Sequence, residues 1–123
     1  MMLPRLILPW AKTSALSANA RKHWGARSRL VKAQKAIAQG LALKAGWHLV
    51  SIPQGATVRY TLIYCLPSRV RHADDDNIIT ANKGARDALA EVLGIDDRDF
   101  RLNRIEQGEK SKDGGIIIEA EVI

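Results

Sequence analysis

The run from Val58 to Tyr64 constrains the fold more than any other stretch of this 123-residue chain. Val58, Tyr60, Leu62 and Tyr64 alternate with Arg59, Thr61 and Ile63, the period of a strand with one buried face. A basic loop from Pro67 to Ala73 follows. The next segment has helical spacing from about Asn77 to Leu93, with Ile78, Ala81, Ala85, Leu89 and Val92 as its buried stripe and Gly94 as its stop. Phe100 to Gln107 then reads as a second strand, so the centre of the chain is a β-α-β unit. Its buried side stays open, because Phe100, Leu102, Arg104 and Glu106 oppose Arg101, Asn103 and Ile105.

The flanks extend this unit without adding a domain. Leu6-Ile7-Leu8 is a short strand stopped by Pro9, and Ala11 to Arg27 reads as a long basic loop. Ser28 is placed to cap a helix running to about Ala45, ended by Gly46. Leu30, Ala33, Ile37, Leu41 and Ala45 form its apolar stripe, opposite Lys32, Lys35 and Gln39. Ile116 to Ile123 is the last strand, after a polar turn from Glu109 to Gly115. The expected fold is a single α/β (α+β) domain over residues 1–123. It has a small mixed sheet with two main helices in the order β-α-β-α-β-β, right-handed crossovers, and the last two strands as a hairpin.

Charge narrows the function. Residues 1–73 hold 12 Lys and Arg and no acid, whereas all 13 acids fall in residues 74–123, and the net charge is +6. A one-signed half points to a polyanion, most simply nucleic acid, although a merely basic surface gives the same pattern. The apolar stretch near the N-terminus is too short for a signal peptide, and no run approaches a membrane span. One cysteine, Cys65, excludes an internal disulfide and fits a cytoplasmic location, where it reads as a small buried hydrophobe.

The chemistry concentrates in Arg71-His72-Ala73-Asp74-Asp75-Asp76-Asn77. Adjacent carboxylates repel, so a fold tolerates them where a cation or a helix N-terminus offsets the cost. If the chain is extended, Asp74 and Asp76 point one way and Asp75 the other, which suits two oxygen ligands for Mg²⁺. Helix capping by Asp75 or Asp76 is the alternative. Asp96-Asp97 supplies a further carboxylate, or only turn acids. If the two central strands lie parallel, Asp97 starts one strand while Asp74 and Asp76 follow the end of the other. Such a set meets only if the ligand loop or the helix folds back.

These residues resemble a family. Asp74-x-Asp76-Asn77, then Lys83, then Asp87-Ala88-Leu89, then Asp96-Asp97 are similar to the pattern of RusA-like endonucleases that resolve Holliday junctions. Leu8-Pro9-Trp10 and Ser17-x-Asn19 also resemble that family's opening. The resemblance implies a compact homodimer that uses Mg²⁺ to place paired nicks in four-way DNA. It implies Asp74, Asp76 and Asp97 as essential metal-holding carboxylates and Lys83 as the essential lysine. Here Lys83 lies six residues after Asn77, not one helical turn after it as in the shorter motif. Its spacing to Asp87 is kept, so the added residues precede the lysine. On one continuous helix Asp76, Lys83 and Asp87 fall within about 20° of one stripe. Lys83 therefore faces DNA or pairs with Asp87 at i, i+4.

Arg69, Arg71, Lys22, Arg27 and Lys32 are the expected DNA contacts. His23 and Trp24 are placed either to stack on bases or to pack, and His72 either to move protons or to sit in solvent. A non-catalytic nucleic-acid-binding protein, or a family member without activity, fits the same residues.

Overall fold

The computed structural model describes residues 1–12, 16 and 24–123. Its elements are β1 (Leu6–Leu8), α1 (Trp24–Lys44), β2 (Val58–Cys65), α2 (Asp75–Ala81), α3 (Lys83–Leu93), β3 (Phe100–Gln107) and β4 (Gly115–Val122). Two short 3₁₀ turns lie at Trp47–Leu49 and Asp97–Asp99. The α+β class and the mixed sheet agree with the sequence reading. Among the described residues no helix is long and apolar enough to cross a membrane.

The sheet has the order β1-β4-β2-β3. β2 and β3 are parallel neighbours joined through α2 and α3, and β4 runs antiparallel to both β1 and β2. The expected β3–β4 hairpin does not form. Composition explains why: β4 carries Ile116, Ile118 and Ala120, all buried, and suits a central strand. β3, with its arginines, Asn103 and Glu106, suits an edge. The connection therefore crosses the C-terminal end of β2. Gly114, at φ 70°, sits so close that a Cβ there would meet the Cys65 carbonyl oxygen at 2.8 Å. Ser111 N–H donates to the Leu66 carbonyl as the loop passes.

One sheet face carries the core. Val58, Phe100, Ile116, Ile78, Leu89 and Trp47 are fully buried. Tyr60 stacks on Phe100 with centroids 4.5 Å apart, and Trp47 meets Phe100 edge-on at 6.5 Å. The Trp47 indole N–H is satisfied by the Pro4 carbonyl at 2.9 Å. The ambiguity of β3 is resolved by a bulge. Tyr60 pairs with Leu102 but Thr61 with Arg104, so Asn103 is an extra residue that reverses the side-chain phase. Phe100, Leu102 and Ile105 consequently all pack on the core.

Both helical segments depart from expectation. α1 begins at Trp24 and Ser28 lies inside it, so Trp24 to Arg27 are helix, not loop. Leu30 and Ile37 are substantially exposed, whereas Ala38 and Ala42 are buried. The buried stripe is rotated because α1 packs on α3 through small residues: a Cβ on Gly84 would lie 2.6 Å from Gln34 Oε1. The second helix is split. Asn82, buried, donates its side-chain Nδ2 to the Ile78 carbonyl at 2.8 Å and separates α2 from α3. Cys65 is half-buried, less covered than expected.

Candidate functional site

The acidic run sits where β2 hands over to α2. Asp74 is the N-cap, extended at φ −80° and ψ 140°, and its side chain makes no capping hydrogen bond. Asp75 and Asp76 already belong to the first helical turn, so the extended i, i+2 alternation does not apply across all three. The helix dipole offsets part of their repulsion. Their partners differ. The Tyr64 hydroxyl donates to Asp75 Oδ1 at 3.3 Å, drawing Asp75 toward the sheet. His72 Nε2 lies 3.0 Å from Asp74 Oδ1, with both side chains largely exposed. The Asp76 side chain makes no hydrogen bond or ion pair among the described residues.

Together these groups line an open cleft of about 580 Å³ with Tyr64, His72, Asn77 and Gln107. Sequence reasoning missed Tyr64 and Gln107. Gln107 enters only because β3 runs parallel to β2 and ends opposite Tyr64. Burial pushes the Tyr64 hydroxyl pKa up, and the neighbouring Asp75 charge and their hydrogen bond push it the same way.

Asp97 lies elsewhere. It opens the 3₁₀ turn before β3, level with the start of β2, because Phe100 pairs with Val58. Eight residues of β2 at ~3.3 Å each put it on the order of 20 Å from the cleft. Among the described residues, no three His, Cys, Asp or Glu side chains are grouped to hold a metal. A three-carboxylate centre is therefore not assembled within one chain. Asp96 caps the turn by accepting from Arg98 N–H at 3.2 Å. Arg86 holds the turn's backbone through the Asp97 and Phe100 carbonyls at 3.0 and 3.2 Å.

Lys83 opens α3 and pairs with Asp87 Oδ2 at 2.9 Å. The break at Asn82 removes the continuous stripe that aligned it with Asp76, and Lys83 does not line the cleft. Asp87 Oδ1 is buried without a hydrogen bond, 3.7 Å from Arg86 Nη1.

Among the expected DNA contacts, Arg69 and Arg71 are exposed on the loop leading into the cleft. Lys32 is exposed on α1 beside Arg27, along a shallow groove that also includes Lys35. Arg27 Nη2 donates to the Leu16 carbonyl at 3.2 Å. Lys22, His23, the Trp24 side chain and the Ser17-x-Asn19 element lie outside the described residues.

Fold and cleft define a small α+β domain with helices on one sheet face and a carboxylate-rich cleft at the C-terminal end of its parallel strand pair. No known protein-family profile matches the chain. It belongs to one family with an uncharacterized protein of Xylella fastidiosa (strain Temecula1 / ATCC 700964), at 37% identity over 113 residues, which are 92% of this chain and 72% of that protein.

Proposed function

We propose that the protein is a Mg²⁺-dependent, structure-selective DNA endonuclease of the RusA-like Holliday junction resolvase type. The observation that carries this reading is Asp76 with Asp74 in one open cleft, the Asp74 side chain making no capping hydrogen bond although it stands at the N-cap, reached by a loop bearing exposed Arg69 and Arg71. The donor set is hard oxygen and leaves room for water. That suits Mg²⁺, which keeps several waters and takes one or two carboxylates at ~2.0–2.1 Å. Bound there, the ion would supply an activated water and relief of charge on the departing oxygen. Asp74 and Asp76 would hold it, Arg69 and Arg71 would position the DNA backbone, and Lys83, outside the cleft and paired with Asp87, would reach the DNA by giving up that pair.

The enzyme works as a homodimer in this reading, and Asp97 is supplied by a second chain, since one chain holds it at the far end of the sheet. A free Cys65 thiol fits a cytoplasmic site of action. The rival reading is a non-catalytic DNA-binding protein. It is favoured by the separation of Asp97 from the cleft and by the Lys83–Asp87 pair.

A synthetic four-way junction with and without Mg²⁺ separates the two. The endonuclease reading expects Mg²⁺-dependent nicks that vanish in Asp76→Asn while junction binding is kept or strengthened. Normal cutting by Asp76→Asn would show that the metal assignment is wrong, and tight binding with no cutting by the native chain would favour the rival.

A further inference from the structure

We propose that Arg86 is a positioning residue of the nuclease site: it fixes the backbone of the turn that presents Asp97 while leaving the Asp97 carboxylate free to act. The proposal rests on the nuclease reading above.

The turn before β3 has to be held from outside. Asp96, Asp97 and Asp99 put three acids into four residues, and like charges at that spacing repel. The turn's own bonds are few. Asp99 N–H donates to the Asp96 carbonyl at 2.9 Å, Arg98 N–H to Asp96 Oδ1 at 3.2 Å, and Phe100 N–H to the Asp97 carbonyl. Short 3₁₀ turns have poor hydrogen-bond geometry and hold weakly by themselves.

Arg86 reaches the turn from the first turn of α3. Its Nη2 donates to the Asp97 carbonyl at 3.0 Å and to the Phe100 carbonyl at 3.2 Å, so one group ties the turn's first residue to its C-cap. The Arg86 side chain is only 31% exposed, and hydrogen bonds strengthen where water is excluded. Burial pushes the Tyr60 hydroxyl pKa up and the Arg86 charge beside it pulls it back, which sets the guanidinium against the aromatic core. Asp87 aims the fork from the other side, with Oδ1 3.7 Å from Nη1.

The choice of acceptors points to positioning. An arginine beside three acids gains most by forking onto a carboxylate. Arg86 takes carbonyls instead. The Asp97 side chain is exposed and makes no hydrogen bond or ion pair among the described residues. A fixed backbone carrying an unspent carboxylate is what a metal-holding group requires. An arginine serving charge balance alone would have quenched it.

Single-turnover cleavage of a four-way junction at saturating protein and Mg²⁺, with amide hydrogen exchange at Asp99 and Phe100, tests the role. Arg86→Gln should speed exchange at both amides and lower the rate about 10–10²-fold, the scale of a misplaced catalytic group, with junction affinity unchanged. Arg86→Lys keeps the cation beside Asp87 but not the planar fork, and should lose most of the same rate. Added to Asp97→Asn, Arg86→Gln should cost little more, because both act through one carboxylate. An arginine needed only for folding would give losses that multiply. Unfolding curves check each variant, and Arg86→Lys carries the test if Arg86→Gln does not fold. A native rate in Arg86→Lys, unchanged exchange at the turn, or multiplied losses in the double variant would overturn the proposal alone. A native chain that does not cut would overturn the nuclease reading and the proposal with it.

Discussion

Replacing Lys83 with Ala asks whether a residue held in an ion pair can also serve catalysis. Its Nζ sits 2.9 Å from Asp87 Oδ2, yet the lysine side chain is 67% exposed. Exposed i, i+4 pairs are worth about 0.3–0.5 kcal/mol. Lysine N-terminal to the acid is the weaker orientation, and a cation at the start of a helix opposes the dipole by a few tenths of a kcal/mol. Against this, the substitution leaves Asp87, only 23% exposed, with Arg86 Nη1 at 3.7 Å. The net loss of stability should therefore lie between about 0 and 1 kcal/mol. The same arithmetic frees the lysine to act, since giving up Asp87 costs tenths. Stabilising charge on a departing oxygen is worth about 3–4 kcal/mol, or 10²–10³ in rate. Lys83→Ala should therefore unfold almost like the native chain while its single-turnover cleavage at saturating protein falls about 10²-fold or more. A near-normal rate would reduce Lys83 to the partner of Asp87, and a stability loss well above 1 kcal/mol would refute the accounting of the pair.

Changing Arg69 and Arg71 together to Ala should weaken junction binding and flatten its logarithmic salt dependence by about one unit per lost phosphate contact, measured by titration across salt concentrations. An unchanged slope would move the DNA path to α1. Tyr64 has its pKa raised above 10.0 mainly by burial and then by Asp75. The folded state thus keeps that proton longer than the unfolded one. The associated stability is present below pH 10.0 and is lost as pH rises through the folded value. Denaturant unfolding at neutral and alkaline pH should show a shallower alkaline loss in Tyr64→Phe than in the native chain, and an equal loss would remove Tyr64 from that account.

Much of the secondary structure was legible because local chemistry and tertiary demand agree there. Gly46 and Gly94 end helices in the left-handed conformation, and β2 alternates without interruption. The misreadings share a cause, a tertiary choice that local periodicity does not encode. The β3 bulge adds one residue without a glycine or proline to mark it. Asn82 breaks a helix through its side-chain bond to the Ile78 carbonyl, which nothing in the pattern signals. In α1 the larger side chains suggest the buried stripe, but close packing on α3 selects Ala38 and Ala42 instead. The acidic run was visible as a cluster of like charges, whereas Gln107 joins it only through strand order.

The separation of charge along the chain has a spatial counterpart that bears on how such a cleft would meet DNA. Arg71 precedes Asp74 by three residues, at most ~11 Å of extended chain, which is of the same order as the ~8 Å Debye length at physiological salt. Phosphates drawn to Arg69 and Arg71 would therefore arrive where the charge of Asp74 and Asp76 is only partly screened. Final approach then depends on neutralising those carboxylates, and a divalent cation does so where a monovalent atmosphere only screens. In the proposed reading the arginines would govern capture and its salt dependence, and the cation would govern the last few ångströms. Asp76→Asn relieves part of the same repulsion without supplying the cation. Its binding should therefore rise most when Mg²⁺ is withheld, and binding isotherms with and without Mg²⁺ would expose the difference.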